Sequence, residues 1–421
     1  MIPPFSRRTR WDLTRNRLTV ALDARRSLGK PILDLTESNP TRCALLHPES
    51  GRLILQALAS PAALTYDPDP RGLRTAREAI ATLLSAGGGW NASPGGTPLR
   101  ADEIVVTSST SEAYGWLFRL LCEPGDDVLV PTPSYPLFDF LARIHDVRLL
   151  PYPLIENDGF RIDIDRLLEI ILESGHEKDR IRAVIFVNPG NPTGAFLTRA
   201  EHLALADLCA RNGLALISDE VFGDYAFDQG ERSAVAVSDH NDGARVATVA
   251  GDDRCLTFAL NGLSKMLALP QMKLGWIAAS GPEPTVSDAL ARLEVISDTY
   301  LSVGTPIQSA LPDLLSMRAS IQQPVHARLA ANRRTLAAAL TPPHPARVLP
   351  SSGGWSAIIR VPSTRTDEEW AITLLEQDGV LVQPGFFYDF PCEGRLVVSL
   401  LPEEPVFAEG IRRLSARIGA G

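Results

Sequence analysis

The chain has 421 residues, 45% of them apolar and 22% charged, with a formal net charge of −9 at pH 7. This is the composition of an ordinary globular protein, and the length suits two domains. Acids and bases are interspersed, with no basic stripe and no apolar run near the ~20 residues that span a membrane, so neither nucleic acid nor a membrane is an expected partner.

The first 17 residues are rich in arginine and lack the apolar core of a signal peptide. Apolar positions at helical spacing (Trp11, Leu13, Leu18, Ala21, Leu22) run on to Leu28, so this segment reads as an amphipathic arm. A short strand at 31–40 leads into a turn. Helices are expected at 51–59 and 73–85, separated by the Pro-rich turn 66–72, and a Gly-rich loop follows at 87–96. From residue 100 apolar, β-branched runs alternate with helical patterns. Strands are expected at 104–107, 127–130, 147–151, 182–187, 214–218, 255–260 and 274–279, with helices at 111–122, 136–144, 163–174 and 199–212. This is the rhythm of a mostly parallel seven-stranded sheet flanked by helices, an α/β fold. Beyond 285 the pattern changes to long helices at 285–302 and 307–340, a Pro-rich break at 341–350, and then strand 357–361, helix 367–377 and strands 380–383 and 396–400. These make a smaller α+β domain. The expected division is 1–50 for an arm joined to the small domain, 51–290 for the large domain and 291–421 for the C-terminal small domain. Five scattered cysteines with no CxxC pair point to a reducing, cytoplasmic compartment and away from a bound metal.

Lysine is scarce. Lys30, Lys178, Lys265 and Lys273 are the only ones, and two of them fall in LNGLSKMLALPQMK between buried-looking strands. Lys30 sits in an N-terminal turn and Lys178 in the polar loop 173–180. A desolvated lysine shifts its pKa readily and forms Schiff bases, which arginine cannot do.

In open α/β sheets ligands bind at the carboxyl ends of the strands, so the polar residues there are the candidates. Ser109, Thr110 and Ser111 start a helix where backbone N–H groups and hydroxyls suit a phosphate; the same run also reads as a helix cap with Glu112 close behind. Tyr135 can stack on a flat heterocycle, or be a half-buried turn residue. Asn191 lies in NPGNPTG, a rigid turn after a buried strand, and can donate to a ligand oxygen. Asp219 ends an apolar strand, where a carboxylate needs a cationic or hydrogen-bonding partner or serves as an N-cap. Ser264 adjoins Lys265, and Lys273 follows eight residues on. Arg395 opens a small-domain strand, as a bidentate carboxylate clamp or a surface arginine. The aromatic residues Trp355, Phe386, Phe387 and Tyr388 either line a side-chain pocket or fill the small-domain core.

In this order and spacing the motifs resemble the pyridoxal-phosphate-dependent aminotransferases of fold type I, the class I/II family typified by aspartate and alanine aminotransferases. The resemblance runs from about Asp34 to Ser399, with NPGNPTG and the Ser264-Lys265 segment its most specific parts. It implies an enzyme that moves an amino group from an amino acid to a 2-oxo acid, with pyridoxal 5′-phosphate held as an internal aldimine on Lys265. Lys265 then also shuttles the proton between Cα and the cofactor. Asp219 pairs with the pyridinium nitrogen, Asn191 with the phenolic oxygen, and Tyr135 stacks on the ring. Ser109, Thr110, Ser111, Ser264 and Lys273 hold the phosphate. Tyr66 reaches the phosphate of a neighbouring subunit, Asn39 closes over the substrate, and Arg395 binds its carboxylate. A homodimer with shared active sites is implied as well.

The chain departs from that pattern in three places. Phe222 stands where a tyrosine usually donates to the ring oxygen, which implies a raised aldimine pKa. Gly262 stands where a phosphate-binding serine is common, and Lys273 where an arginine is. The stretch 298–308 carries no arginine and begins with Asp298, which speaks against dicarboxylic donors. Lys265 and Asp219 would serve a C–S lyase or a cyclopropane-forming synthase of the same fold equally, and a binding module using the cofactor as a sensor is the reading outside enzymes.

Overall fold

The computed structural model describes residues 5–86, 99–174, 180–227 and 245–420. The Gly-rich loop expected at 87–96 and Lys178 lie outside them. The chain opens with α1 (Arg17–Ser27), β1 (Leu33–Asp34), α2 (Pro48–Leu58) and α3 (Arg74–Ala86). The α/β body follows as β2 (Ile104–Thr107), α4 (Thr110–Leu121), β3 (Asp127–Thr132), α5 (Phe138–Ile144), β4 (Arg148–Ile155), β5 (Arg161–Ile162), α6 (Ile164–Glu173), β6 (Ile181–Val187), α7 (Arg199–Asn212), β7 (Ala215–Asp219), β8 (Thr257–Gly262), α8 (Leu263–Met266) and β9 (Gly275–Ser280). Then come α9 (Thr285–Tyr300), α10 (Thr305–Ser316), α11 (Arg318–Ala339), β10 (Arg347–Val348), β11 (Ser356–Arg360), α12 (Asp367–Thr373), β12 (Val380–Leu381), β13 (Gln383–Pro384), β14 (Arg395–Ser399) and α13 (Glu404–Gly419).

Among the described residues the large sheet has eight strands in the order β2-β9-β8-β7-β6-β3-β4-β5. The seven expected strands are all in it. The eighth, β5, is a two-residue antiparallel addition beside β4, too short to show as a run in the sequence. The pairs from β8 through β7, β6 and β3 to β4 are parallel, and β9 runs antiparallel to both its neighbours. The central strands read as unbroken apolar runs because both faces are covered. Alternate residues divide between two cores: Val184, Phe186, Leu216 and Ala259 face α3, α7 and α10, while Ala183, Ile185, Ile217 and Phe258 face α4, α5 and α9. Helix α7 shows how local signals fix its ends. It starts in a Thr198–Glu201 capping box and stops at Gly213, whose φ of 64° is left-handed.

A second core gathers α11, α12 and α13 around the antiparallel sheet β10-β11-β14-β13. The N-terminal segment belongs to it. Leu18 and Leu35 are buried there, and β1 pairs in parallel with β12, Leu33 opposite Val380.

The structure corrects two expectations. The helix expected at 307–340 is two helices meeting at Met317, because the apolar pattern runs through the break and hides it. Around the division expected at 290/291, side chains of α9 and α10 pack in the cores of the large sheet, and α11 spans both bodies, Ile321 in the first and Val325 in the second. Finally, the N-terminal helix starts at its Asn16 cap rather than at Trp11. Trp11 instead packs edge-on against Phe140 at 5.9 Å, and Leu13 is exposed.

Candidate active site

Strand register brings three chain segments to one level. Asp219 ends β7 opposite Val187 of β6 and Leu260 of β8. The Asn188–Gly194 turn, the Asp219 carboxylate and the Gly262–Lys265 segment therefore leave the sheet side by side. In the turn, Asn188 bonds Val246 O and the Leu197 N–H. Gly194 (φ 65°) lies so close to the second body that a Cβ there would stand 2.3 Å from Gly353 O. That contact seats the Ser351–Trp355 segment over the strand ends.

Lys265 rides on α8, a single turn. Its carbonyl accepts the Tyr225 hydroxyl at 2.7 Å, and that of Met266 accepts Gln322 Nε2 at 2.9 Å. The Lys265 amine lies 5.6 Å from the Trp355 ring centroid and 5.9 Å from that of Phe222. Burial pulls its pKa down, and the charge of Asp219 opposes this. A lysine so placed carries a larger fraction of neutral, nucleophilic amine than one in water.

Asp219 is 6% exposed. Its Oδ2 accepts the Tyr114 hydroxyl at 3.2 Å and its Oδ1 the Val221 N–H at 3.2 Å. Burial pushes its pKa up to about 6, against the Val221 N–H, the Tyr114 hydroxyl and the charge of Lys265. The adjoining Glu220 is turned into the structure, where Ser218 and the Val249 N–H hold it.

Ser109 is the N-cap of α4, its hydroxyl accepting the Glu112 N–H at 3.2 Å. Thr110 and Ser111 follow, half-buried. Across from them Gly262 pairs with Gly275, which lies against Thr107 and Ser109. A Cβ on Gly262 would stand 2.8 Å from Gly275 Cα and 2.8 Å from Leu274 O. Glycine at this position is therefore a packing requirement of this chain. Lys273 is exposed, with a left-handed φ of 53°.

Other expected residues fall as follows. Tyr135 is half-buried, edge-on to Phe138 at 6.0 Å, and near enough to feel the charge of Asp219; burial chiefly pushes its pKa up to about 12. Asn191 lines a cavity with Ser134, Phe160 and Thr193. Phe222 is buried and edge-on to Trp355 at 5.4 Å. Ser264 is half-buried beside Lys265. Asn39 caps a turn, its Oδ1 accepting from Thr41. Tyr66 is 79% exposed in the single chain.

Arg395 is engaged by groups of the protein itself. Its guanidinium forms a bidentate pair with Glu156 (Nε–Oε2 2.9 Å, Nη2–Oε1 2.8 Å), and Nη1 donates to Glu393 O at 2.9 Å. It pairs with Arg360 at the far end of β11, five residues or about 16 Å along the strand from Trp355. The carboxylate clamp expected of Arg395 is closed on the protein's own glutamate.

Three contributors carry no motif: Tyr114, Tyr225 and Trp355. The only sequence signal for the first two is a tyrosine inside an apolar run, where a buried hydroxyl demands a partner. Trp355 Nε1 and Ser134 Oγ are buried without a hydrogen-bond partner among the described residues, as expected at a site built for a polar ligand. The described residues hold no cluster of metal-ligating side chains, and none of their helices is long and apolar enough to cross a membrane.

A half-buried lysine amine and a buried aspartate, at the strand ends of a mostly parallel sheet and next to a helix N-terminus, are the arrangement of an α/β enzyme able to take a carbonyl-bearing, anionic ligand. The sequence model of the family described as aminotransferase class I and II matches residues 32–407, and the chain belongs to that family. It is similar to the alanine aminotransferase of Mycobacterium tuberculosis, 28% identical over 393 residues that cover 92% of this chain and 85% of the relative. The arginine–pyruvate transaminase AruH of Pseudomonas aeruginosa is 28% identical over 361 residues, covering 83% and 82%. Among solved structures, alanine aminotransferase from Pyrococcus furiosus superposes with a TM-score of 0.81 at 21% identity, covering 96% of each chain. The chain is thus a transaminase, moving amino groups between amino acids and 2-oxo acids.

Proposed function

We propose that this transaminase holds pyridoxal 5′-phosphate on Lys265 and passes an amino group from a neutral amino acid to pyruvate. The half-buried Lys265 amine and the buried Asp219 carboxylate carry the reading: the register of β7 and β8 brings them to one level at the strand ends, the amine beside the Trp355 ring, where an amine and a carboxylate both call for a ligand. When bound, the cofactor supplies a carbonyl for the amino group and a ring that draws off electrons. Lys265 would provide the attaching amine and the base for the Cα proton. Asp219 would accept the hydrogen bond of the ring nitrogen and hold its proton there. Asn191 would serve the ring oxygen, and Tyr135 and Phe222 the ring faces. Ser109, Thr110, Ser111, Ser264 and Lys273 would hold the phosphate. Asn39 would meet the substrate from the N-terminal segment.

The choice of pyruvate rests on relatives named as alanine, arginine–pyruvate and glutamate–pyruvate aminotransferases. The absence of arginine from 298–308 supports a neutral donor. We read the protein as a cytoplasmic homodimer. Leu64 and Tyr66, 91% and 79% exposed in one copy, support a second copy lying over that segment, with Tyr66 completing the partner's phosphate site.

The test is a half-reaction screen of single amino acids against the loaded enzyme, followed by its visible absorbance. Bleaching by alanine and other neutral amino acids, with recovery on adding pyruvate, is expected. Steady release of ammonia with no bleaching would replace transfer by elimination.

A further inference from the structure

We propose that Tyr114 is a positioning residue for the transfer: its hydroxyl holds the Asp219 carboxylate in place, and its helix ties that carboxylate to the phosphate end of the site. This rests on the cofactor reading above.

Tyr114 is 1% exposed, packed edge-on against Phe138 at 5.3 Å and tilted against Phe118 at 6.1 Å. Those contacts account for the ring. They do not account for the hydroxyl, which is buried and must find a partner. It donates to Asp219 Oδ2 at 3.2 Å, while the Val221 N–H donates to Oδ1. Each carboxylate oxygen thus takes one donor from the protein, which fixes the carboxylate plane and leaves a lone pair on each oxygen for a ligand N–H.

Helix α4 carries both the Tyr114 hydroxyl and the hydroxyls at the phosphate end. Tyr114 lies four residues after Thr110 on α4, one turn and about 6 Å along its axis. The N-terminus of α4 is pinned by the Ser109 cap, by the Ser108 N–H on Glu112 Oε2 at 2.7 Å, and by the Ser302 hydroxyl on that same oxygen at 2.7 Å. One rigid turn therefore sets the spacing between the phosphate-binding hydroxyls and the donor that holds Asp219. A cofactor bridging these points would feel any loosening of the Tyr114 bond as both a weaker charge partner and a poorer fit. The other titratable groups around the carboxylate are Lys265 from α8, Tyr135 after β3 and the neighbouring Glu220.

The experiment is Tyr114→Phe, which removes one oxygen and keeps the ring. Its cofactor dissociation constant is expected to rise roughly tenfold, the scale of a lost hydrogen bond to a charged group. Without the hydroxyl, Asp219 becomes a stronger base and draws the ring proton toward itself. The pH midpoint of the visible band of the loaded protein should then move up by about half a unit. In an Asp219→Asn background the same substitution should change the dissociation constant less than twofold, because the charge it serves is gone. That pair also carries the comparison should Tyr114→Phe alone not fold. Phe138→Leu loosens the ring packing and leaves the hydroxyl, so it supplies the structural baseline. An unchanged constant and midpoint in Tyr114→Phe, an equal loss in both backgrounds, or the same midpoint shift in Phe138→Leu would overturn the proposal. Failure of the unmodified chain to take up pyridoxal phosphate would instead overturn the cofactor reading.

Discussion

Gly262 and Gly275 face one another across β8 and β9 so closely that a methyl group on the first would lie 2.8 Å from the α-carbon of the second. The strands meet there because both side chains are missing. Gly262→Ser, which would restore the hydroxyl common in the family, should therefore destabilise the protein by about 1–3 kcal/mol through overpacking. A thermal melt checks this. An unchanged or higher melting temperature would show that the strands can part.

Lys265→Ala should leave a folded protein that binds pyridoxal phosphate only reversibly. Borohydride reduction followed by mass spectrometry should find the cofactor attached to the unmodified chain and not to the variant. Turnover should fall by at least about 10⁴-fold, since nucleophile and proton carrier are lost together. Attachment at another lysine would sink the assignment.

Asp219 gives a pH signature in the unloaded protein. Burial raises its pKa to about 6, above its value in the unfolded chain. Between roughly pH 4 and pH 6 the folded state then holds more protons than the unfolded state, and stability falls as pH rises through that window. Asp219→Asn removes this slope. Its stability relative to the unmodified chain should increase from pH 4 to pH 6 and level off above, by on the order of 3 kcal/mol at most. Denaturant melts at several pH values measure it, and a flat difference would contradict the raised pKa of the buried carboxylate.

The Arg395–Glu156 pair separates a structural arginine from a substrate-binding one. Glu156→Gln leaves a guanidinium that is nearly fully buried without its counter-charge, and removing one partner of such a pair is destabilising by about 3–5 kcal/mol. The double variant Glu156→Gln/Arg395→Met should recover much of that and keep KM for the amino acid within about twofold. A KM raised a hundredfold in the double variant would return Arg395 to the substrate.

Much of this could be read in the sequence because the physics was local. Fully buried parallel strands are unbroken apolar runs, and IRAVIFV is one wherever it is met. The NPGNPTG turn declares its rigidity in its own residues, and Lys265 is conspicuous in a chain that otherwise uses arginine. What stayed hidden depends on contacts distant in sequence. An arginine opening a strand looks the same whether it awaits a ligand or pairs with Glu156, 239 residues away. Tyr114 looks like any aromatic in an apolar helix until β7 places Asp219 against it. The break at Met317 is invisible because the apolar pattern runs straight across it. Gly262 reads in the sequence only as a missing serine, and the second glycine on β9 shows it to be a matter of strand spacing.

The pairing of β1 with β12 joins Leu33 to Val380, nearly the length of the chain apart. During synthesis the first strand therefore leaves the ribosome long before its partner exists. The large sheet can form meanwhile, since its strands are all made by Ser280. The second core cannot close until the last helices emerge, so Leu18, Leu35 and their neighbours stay uncovered through most of translation. A chain cut short after α11 would carry a finished sheet and an unpaired apolar N-terminal segment, the kind of exposed surface that chaperones hold and that otherwise aggregates.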